Sequence, residues 1–319
     1  MTTTIIQADA RHLPLADKSV NCCVTSPPYF GLRDYGNVAQ IGLEPTPAAY
    51  VDEMVKVFRE VRRVLRDDGT LWLNLGDSYF AQTRGHEGGS PKQKRNTGSR
   101  FEPRRFERAG LKPKDLIGIP WMVAFALRAD GWYLRQDIIW AKPNPMPESV
   151  TDRCTKAHEY IFLLSKSAKY YYDAQAIQED ATSKAGGRSF GKQHGIAAAR
   201  GARAQSRRYD RPIYTKRNRR SVWTVATRSY KGAHFATFPP KLIEPCILAG
   251  SLIGGTVLDP FAGSGTTLRV AADNGRNAIG IELNPDYIAL AHKRLAEVAT
   301  KKPTRTRRRM AEVQLRLLG

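Results

Sequence analysis

The strongest constraint on the fold is the run from Thr256 to Glu282, which reads as strand, glycine turn, helix and strand. Thr256–Leu258 is apolar and partly β-branched, Gly263 and Gly265 sit in the turn, and 265–274 reads as a helix. Asn277–Ile281 then reads as a second strand and 285–299 as a second helix. A helix linking two strands is a crossover, so the two strands lie parallel, and a parallel sheet needs helices on its faces. The expected class is therefore α/β.

The remaining elements suit the same class. Val20–Thr25 reads as a buried strand stopped by Pro27 and Pro28. Residues 47–67 carry Val51, Met54, Val55, Phe58, Val61 and Leu65 at helical spacing, with Asp68-Gly69 as the stop. Strands are expected at Thr70–Leu75, near Tyr133–Trp140 and at Tyr160–Leu164; helices are expected at 114–130, despite Pro120, and at 240–252. The 319 residues suffice for one large domain carrying an insertion. The longest apolar stretch, Leu116 to Leu127, is too short to span a bilayer, so no membrane partner is expected. The N-terminal Met-Thr-Thr-Thr-Ile-Ile lacks the pattern of a secretory signal. Of four cysteines, Cys22 and Cys23 are adjacent, and no Cys-x-x-Cys or Cys/His cluster suggests a metal. A reduced, cytoplasmic protein without a metal is expected.

Lys and Arg number 51 against 30 Asp and Glu, a net charge of +21. Three segments, 84–115, 178–222 and 301–319, carry all of that excess, and the rest of the chain is balanced. A neutral body with three basic segments suits a polyanion, because Lys and Arg placed on phosphates release condensed counterions. Segment 178–222 has five glycines and no sustained period, so it reads as an insertion or a small loop-rich lobe.

Two motifs carry the chemistry. In Asp259-Pro-Phe-Ala-Gly-Ser-Gly-Thr-Thr267, Gly263 and Gly265 let the backbone turn tightly and approach a ligand at a helix N-terminus. No Lys completes a P-loop, and Leu268 stands where a dinucleotide fingerprint has its third glycine. Glu282 ends the next strand, where a carboxylate can accept ribose hydroxyls, so a nucleoside-containing cofactor is indicated. In Thr25-Ser26-Pro27-Pro28-Tyr29 the two prolines supply no backbone N–H, leaving rigid acceptors suited to an exocyclic NH2, and Tyr29 offers a stacking face. A proline-terminated strand beside a core tyrosine satisfies the same local physics.

Together these motifs resemble the S-adenosylmethionine-dependent DNA methyltransferases that modify exocyclic amino groups. Members carry an (Asp/Asn/Ser)-Pro-Pro-(Tyr/Phe) motif and a Phe-x-Gly-x-Gly motif, and the order here is similar to that of the permuted β class. The likeness extends over most of residues 5–299. It implies a Rossmann-like methyltransferase sheet, mostly parallel with helices on both faces, and a loop-rich basic insertion. The implied division is a catalytic half at 1–177, a target-recognition insertion at 178–222, a cofactor half at 223–299 and a basic tail at 300–319.

The resemblance implies S-adenosyl-L-methionine as cofactor, held by Asp259, Phe261, Gly263, Ser264, Gly265, Thr266, Glu282 and Leu283. The segment His234-Phe-Ala-Thr-Phe-Pro239 is similar to one preceding the helix at the methionine end, which adds Thr237, Phe238 and Pro239. Asp9 and Ala10 correspond to a segment near the adenine, although Gln7-Ala8 departs from the usual glycine there. Ser26, Pro27, Pro28 and Tyr29 correspond to the catalytic motif. In such enzymes the insertion reads double-stranded DNA, which implies contacts from Arg207, Arg208, Arg211, Lys216, Arg217, Arg219 and Arg220.

The implied reaction is methyl transfer to the amino group of a flipped base. Serine at the first motif position resembles the cytosine-N4 enzymes, while Asp or Asn more often accompanies adenine N6. Adenine methylation by the same mechanism is one alternative; a non-catalytic nucleic-acid-binding protein on this fold is another. A homodimer and a companion restriction endonuclease are further partners that the resemblance allows.

Other residues invite attention. Cys246 follows Pro245 inside an apolar helical run and reads as core. Asp77 fits either a site-lining or a capping role, and Trp140 either a base-pocket or a packing role. His158 and Glu159 precede an apolar strand and read as edge residues, and Tyr170–Tyr172 as core plus surface.

Overall fold

The computed structural model describes residues 1–32, 37, 39–80, 83–84, 104–105, 110–181, 215–227 and 238–299. Its strands are β1 (Thr3–Gln7), β2 (Val20–Thr25), β3 (Leu65–Leu75), β4 (Thr83–Arg84), β5 (Arg104–Arg105), β6 (Tyr133–Ala141), β7 (His158–Ser165), β8 (Glu179–Asp180), β9 (Lys216–Arg217), β10 (Val222–Thr224), β11 (Thr256–Asp259) and β12 (Asn277–Glu282). Its α-helices are α1 (Pro47–Val64), α2 (Ile119–Ala129), α3 (Pro240–Gly250), α4 (Thr266–Asp273) and α5 (Pro285–Ala299).

Eight strands form one sheet in the order β1-β12-β11-β2-β3-β7-β6-β10. All neighbours pair parallel except those of β7, which runs antiparallel to both β3 and β6. The expected α/β sheet is thus present.

Strand periodicity sends alternate residues to two cores. Cys23, Leu71, Leu73 and Phe162 pack with Met54, Phe58 and Val61 of α1 and with Val123 and Leu127 of α2. Cys22, Trp72, Ile161 and Leu163 pack on the other face with Leu242, Cys246 and Ile247 of α3 and Leu268 of α4. The adjacent cysteines therefore point to opposite sides of the sheet; both are free and buried. Cys246 is core, as its apolar setting implies.

Four helices are shorter than expected, α3 and α4 only at their ends and α1 and α2 by more. Helix α1 begins at the Thr46 cap, whose Oγ1 accepts from Ala49 N at 3.1 Å, but it stops at Val64. Leu65 takes extended dihedrals and pairs with Val20, so β3 starts five residues early. Sheet pairing here outweighs helical propensity. Helix α2 begins at Ile119, with Pro120 in its first turn where a missing N–H costs nothing. Strands β1 and β10, at the two edges of the sheet, were not expected. The two-residue pair β8–β9 closes the base of the insertion, whose residues 182–214 lie outside the described residues. Most of the basic stretch 84–115 and all of the tail 301–319 lie outside them too.

Gly250, the last residue of α3, meets the sheet closely. A Cβ there would lie 2.6 Å from Cys22 Sγ, 2.7 Å from Trp72 Nε1 and 2.8 Å from Thr70 Oγ1. All three neighbours are buried, so Gly250→Ala is expected to destabilise by about 1–3 kcal/mol in urea unfolding. Unchanged stability would contradict this packing.

Candidate functional site

Four parallel strands, β1, β2, β11 and β12, end on the same edge of the sheet, and a pocket opens above them. The order of strands reverses between β2 and β11, and ligands of open α/β sheets bind at such a switch point. The pocket is lined by Asp9 and Ala10 after β1 and by Ser26, Pro27, Pro28 and Tyr29 after β2. Asp259, Phe261, Gly263, Ser264 and Thr266 line it after β11, and Glu282 and Leu283 after β12. Phe238 completes the wall; Pro239 is the N-cap of α3, and Gly265, which is not part of the lining, is the N-cap of α4. Thr237 lies outside the described residues.

Asp259 ties the two motifs together. Thr25 Oγ1 donates to its Oδ1 at 2.7 Å, Thr267 Oγ1 donates to its Oδ2 at 2.6 Å, and Phe261 N donates to Oδ1 at 3.1 Å. Burial is the largest influence on this carboxyl and pushes its pKa up to about 6, against the lowering effect of the three donors. Gly263 and Gly265 adopt φ of +49° and +75°, which side chains resist. Glu282 holds the turn from the next strand: Gly263 N donates to its Oε2 at 2.8 Å and Asn284 N to its Oε1 at 2.9 Å. Burial raises the pKa of Glu282. Asp9 is engaged by Arg11, whose Nη2 approaches to 2.6 Å and which also bridges to Glu53 at 2.9 Å.

At the proline turn, Tyr50 donates its hydroxyl to the Pro28 carbonyl at 2.8 Å and holds the backbone. The Tyr29 ring lies against Gly76, where a Cβ would come within 2.6 Å of its Cε2. Its hydroxyl receives a contact from Ser26 Oγ at 3.4 Å and donates to Glu159 Oε2 at 2.7 Å. Asn74 Nδ2 donates to the same carboxylate oxygen at 3.1 Å, and Lys142 Nζ donates to Oε1.

Glu159 is therefore not the edge residue that its place before an apolar strand suggested. Strand β7 lies inside the sheet and runs backwards, so its first residues, not its last, reach the ligand edge. The missed signal was a pair of polar residues in apolar company: Asn74 within Leu71–Leu75, only 3% exposed, and Glu159 before Ile161. Asp77 proves to be a cap, accepting from Gly118 N at 3.0 Å and Ile119 N at 3.2 Å at the start of α2. Trp140 packs in the core and donates Nε1 to Val225 O at 2.7 Å.

The basic residues at the base of the insertion have partners. Lys216 pairs with Asp180, while Arg217 and Arg220 converge on Glu179 at 2.8 and 2.6 Å. The Arg219 guanidinium lies 4.6 Å from the Trp223 ring centre. Arg207, Arg208 and Arg211 lie outside the described residues. Among the described residues, no group of His, Cys, Asp and Glu could hold a metal, and no helix is long and apolar enough to cross a membrane.

Comparison with known proteins matches residues 20–293 to a family of DNA methylases. The Type II methyltransferase M.XycI of Xanthomonas campestris pv. cyanopsidis is 50% identical over 297 residues, covering 92% of this chain and 87% of that protein. The Type II methyltransferase M.SmaI of Serratia marcescens is 50% identical over 293 residues, covering 91% and 90%. Among solved structures, a candidate DNA modification methylase of Thermus thermophilus complexed with S-adenosyl-L-methionine is 25% identical with a TM-score of 0.56, covering 93% of this chain and 94% of that one. The cytosine-N4-specific PvuII DNA methyltransferase has a TM-score of 0.61 at 18% identity, covering 100% and 93%, and so shares the fold.

The raised pKa of Asp259 predicts a pH signature. The folded chain holds this proton more tightly than the unfolded chain, so its stabilising effect is full at low pH and is lost as pH rises through about 6. Asp259→Asn removes the titration. Relative to that variant, the wild-type protein should gain about 2 kcal/mol between about pH 7.5 and about pH 4.5 in urea unfolding. A gap that moves the other way would overturn the assignment.

Proposed function

The chain belongs to the DNA methylase family, and from that premise we propose that it methylates N4 of a cytosine flipped out of duplex DNA. The observation that carries this reading is convergence: the Ser26–Tyr29 turn and the Phe261–Gly265 turn line one pocket although they lie at opposite ends of the sequence. S-adenosyl-L-methionine, when bound, supplies an electrophilic methyl group on sulfur. The donor set fits it. The Glu282 carboxylate accepts backbone N–H groups at both oxygens and has lone-pair capacity left for a ribose hydroxyl, while Phe238, Phe261 and Leu283 give the pocket apolar walls.

The amine of a nucleobase is a poor nucleophile, because its lone pair is delocalised into the ring. Acceptors at Ser26 Oγ and the Pro27 carbonyl grip the NH2, favour tetrahedral geometry and hold it in line with the methyl carbon, so catalysis is orientation plus charge complementarity. The ring of Tyr29, backed by Gly76, stacks on the extruded base. The Ser26 hydroxyl is neutral and sits beside the N3 acceptor of cytosine without repulsion; a carboxylate in its place would repel that lone pair. Segment 178–222 contacts the DNA. Arg217 and Arg220 brace its base through Glu179, while Lys216, Arg219, Arg207, Arg208 and Arg211 approach phosphates. A homodimer and a companion endonuclease belong to the same proposal, and each is open to test by sedimentation and co-purification.

The decisive measurement incubates the protein with unmethylated DNA and S-adenosylmethionine, digests to nucleosides and identifies methylated bases by mass spectrometry. N4-methylcytosine is expected. N6-methyladenine would overturn the base assignment, and no methylated base would overturn the reaction. Ser26→Ala should slow turnover on the order of 10²-fold with cofactor affinity kept, and equal loss of both would refute its role. Gly263→Asp should abolish cofactor binding in calorimetry, since it forces a side chain into φ +49° and sets a second carboxylate beside Glu282.

A further inference from the structure

Serine at the head of the proline turn leaves a chemical question that a carboxylate there would not. Once methylated, the amine nitrogen must lose a proton, and a serine hydroxyl is no base. From the hydrogen bonds behind it we infer that Glu159 is the terminal acceptor of that proton, reached through Ser26 and Tyr29. This inference rests on the reading of Ser26 as the residue that grips the amine.

The hydrogen bonds form a chain. Ser26 Oγ donates to the Tyr29 hydroxyl at 3.4 Å, and that hydroxyl has Glu159 Oε2 as its near acceptor at 2.7 Å and Asn74 Oδ1 as a far one at 3.4 Å. The first link is the long one, and such links tighten when substrate binds. Glu159 is held from three further sides. Asn74 of β3 donates to Oε2 at 3.1 Å and braces itself on the Tyr160 carbonyl at 3.0 Å. Lys142, directly after β6, donates to Oε1 and sets a positive charge beside the carboxylate. Lys156 adds a second positive charge near Glu159, and its Nζ is buried without a hydrogen-bond partner. The Glu159 and Lys142 side chains are 14% and 18% exposed, enough to return a proton to water between turnovers.

Tyr29 is suited to pass a proton on without ionising. Burial first, and then the neighbouring Glu159 charge, raise its phenol well above the ordinary range. It gives a proton only as it receives one.

The step balances. The amine lone pair forms the nitrogen–carbon bond as the carbon–sulfur bond breaks, with that electron pair remaining on sulfur. The positively charged nitrogen gives its proton to Ser26 Oγ. Ser26 gives its own proton to the Tyr29 oxygen, and Tyr29 gives its proton to Glu159, which becomes a neutral carboxylic acid. The positive charge that arrived with the methyl group is thereby neutralised on Glu159, and the product base leaves neutral.

The test compares Tyr29→Phe, Glu159→Gln, the double variant and Ser26→Ala with the wild-type protein in single-turnover methyl transfer to DNA. Cofactor affinity by calorimetry serves as the control for folding. Tyr29→Phe keeps the stacking ring and removes the relay, so both single variants should lose about tenfold or more in rate, with cofactor and DNA affinity within about twofold. The double variant should be no slower than the slower single, because one chain is broken once or twice. Isotope-edited infrared difference spectra should show a protonated-carboxyl stretch after one turnover in wild-type protein and not in Glu159→Gln. Wild-type rates in Tyr29→Phe or Glu159→Gln, multiplied losses in the double variant, or no carboxyl stretch would overturn the relay. Should Glu159→Gln fail to bind cofactor, Tyr29→Phe and the wild-type spectrum decide. Ser26→Ala separates the two levels: if it keeps the rate, the parent reading fails, and if it alone loses the rate, only the relay fails.

Discussion

The site depends on a buried carboxylate that belongs to neither motif alone. Asp259 ends β11, yet one of its hydroxyl donors, Thr25, ends β2, and the other, Thr267, lies in the first turn of α4. A carboxylate placed this deep loses most of its hydration and is tolerated only where donors replace water. Those donors come from both sides of the pocket, so satisfying one buried group sets the distance between the proline turn and the glycine turn. Neither turn could drift without leaving a charge or a hydroxyl unmatched, and a reaction that rests on orientation needs that stiffness.

The run around the glycine turn was nearly transparent in the sequence, because its signals are local. Thr256–Glu282 forms strand, turn, helix and strand within a short span, and glycines at positive φ mark the turn wherever it occurs. The proline turn was legible for the same reason. What escaped depends on distant pairing. Leu65 reads as helix by its spacing, and only Val20 across the sheet makes it strand. Glu159 and Lys142 flank a hairpin whose direction no local pattern reveals, and reversing β7 moves a strand start onto the ligand edge. Asn74 stood in plain view, since an amide inside an apolar strand must find partners, but its partners come from β7 and from the proline turn.

Several polar groups of the pocket are already committed to their own chain. Asp9 is clamped by Arg11, Glu282 by two backbone amides, and Glu159 by Tyr29, Asn74 and Lys142. Such groups are held at fixed angles before a ligand arrives, so less ordering remains to be done on binding. The same economy operates in the basic insertion, where Glu179 and Asp180 gather Lys216, Arg217 and Arg220 at its stem. At the stem, these charges meet in ion pairs within the chain.

The order of strands also dictates when the sheet can be completed. Strands β1 and β2 leave the ribosome first, yet they are not neighbours; β12 and β11, from the far end of the chain, fill the two places between them. The register Thr3↔Ala278 spans nearly the whole described chain. Until β11 and β12 are made, β2 has a bare edge on that side and β1 has no partner in the sheet. Such long-range pairing folds slowly and exposes strand edges while it waits. The binding edge is thus among the last parts of the molecule to exist, and a nascent chain that stalls before Thr256 would carry a complete proline turn with nothing opposite it.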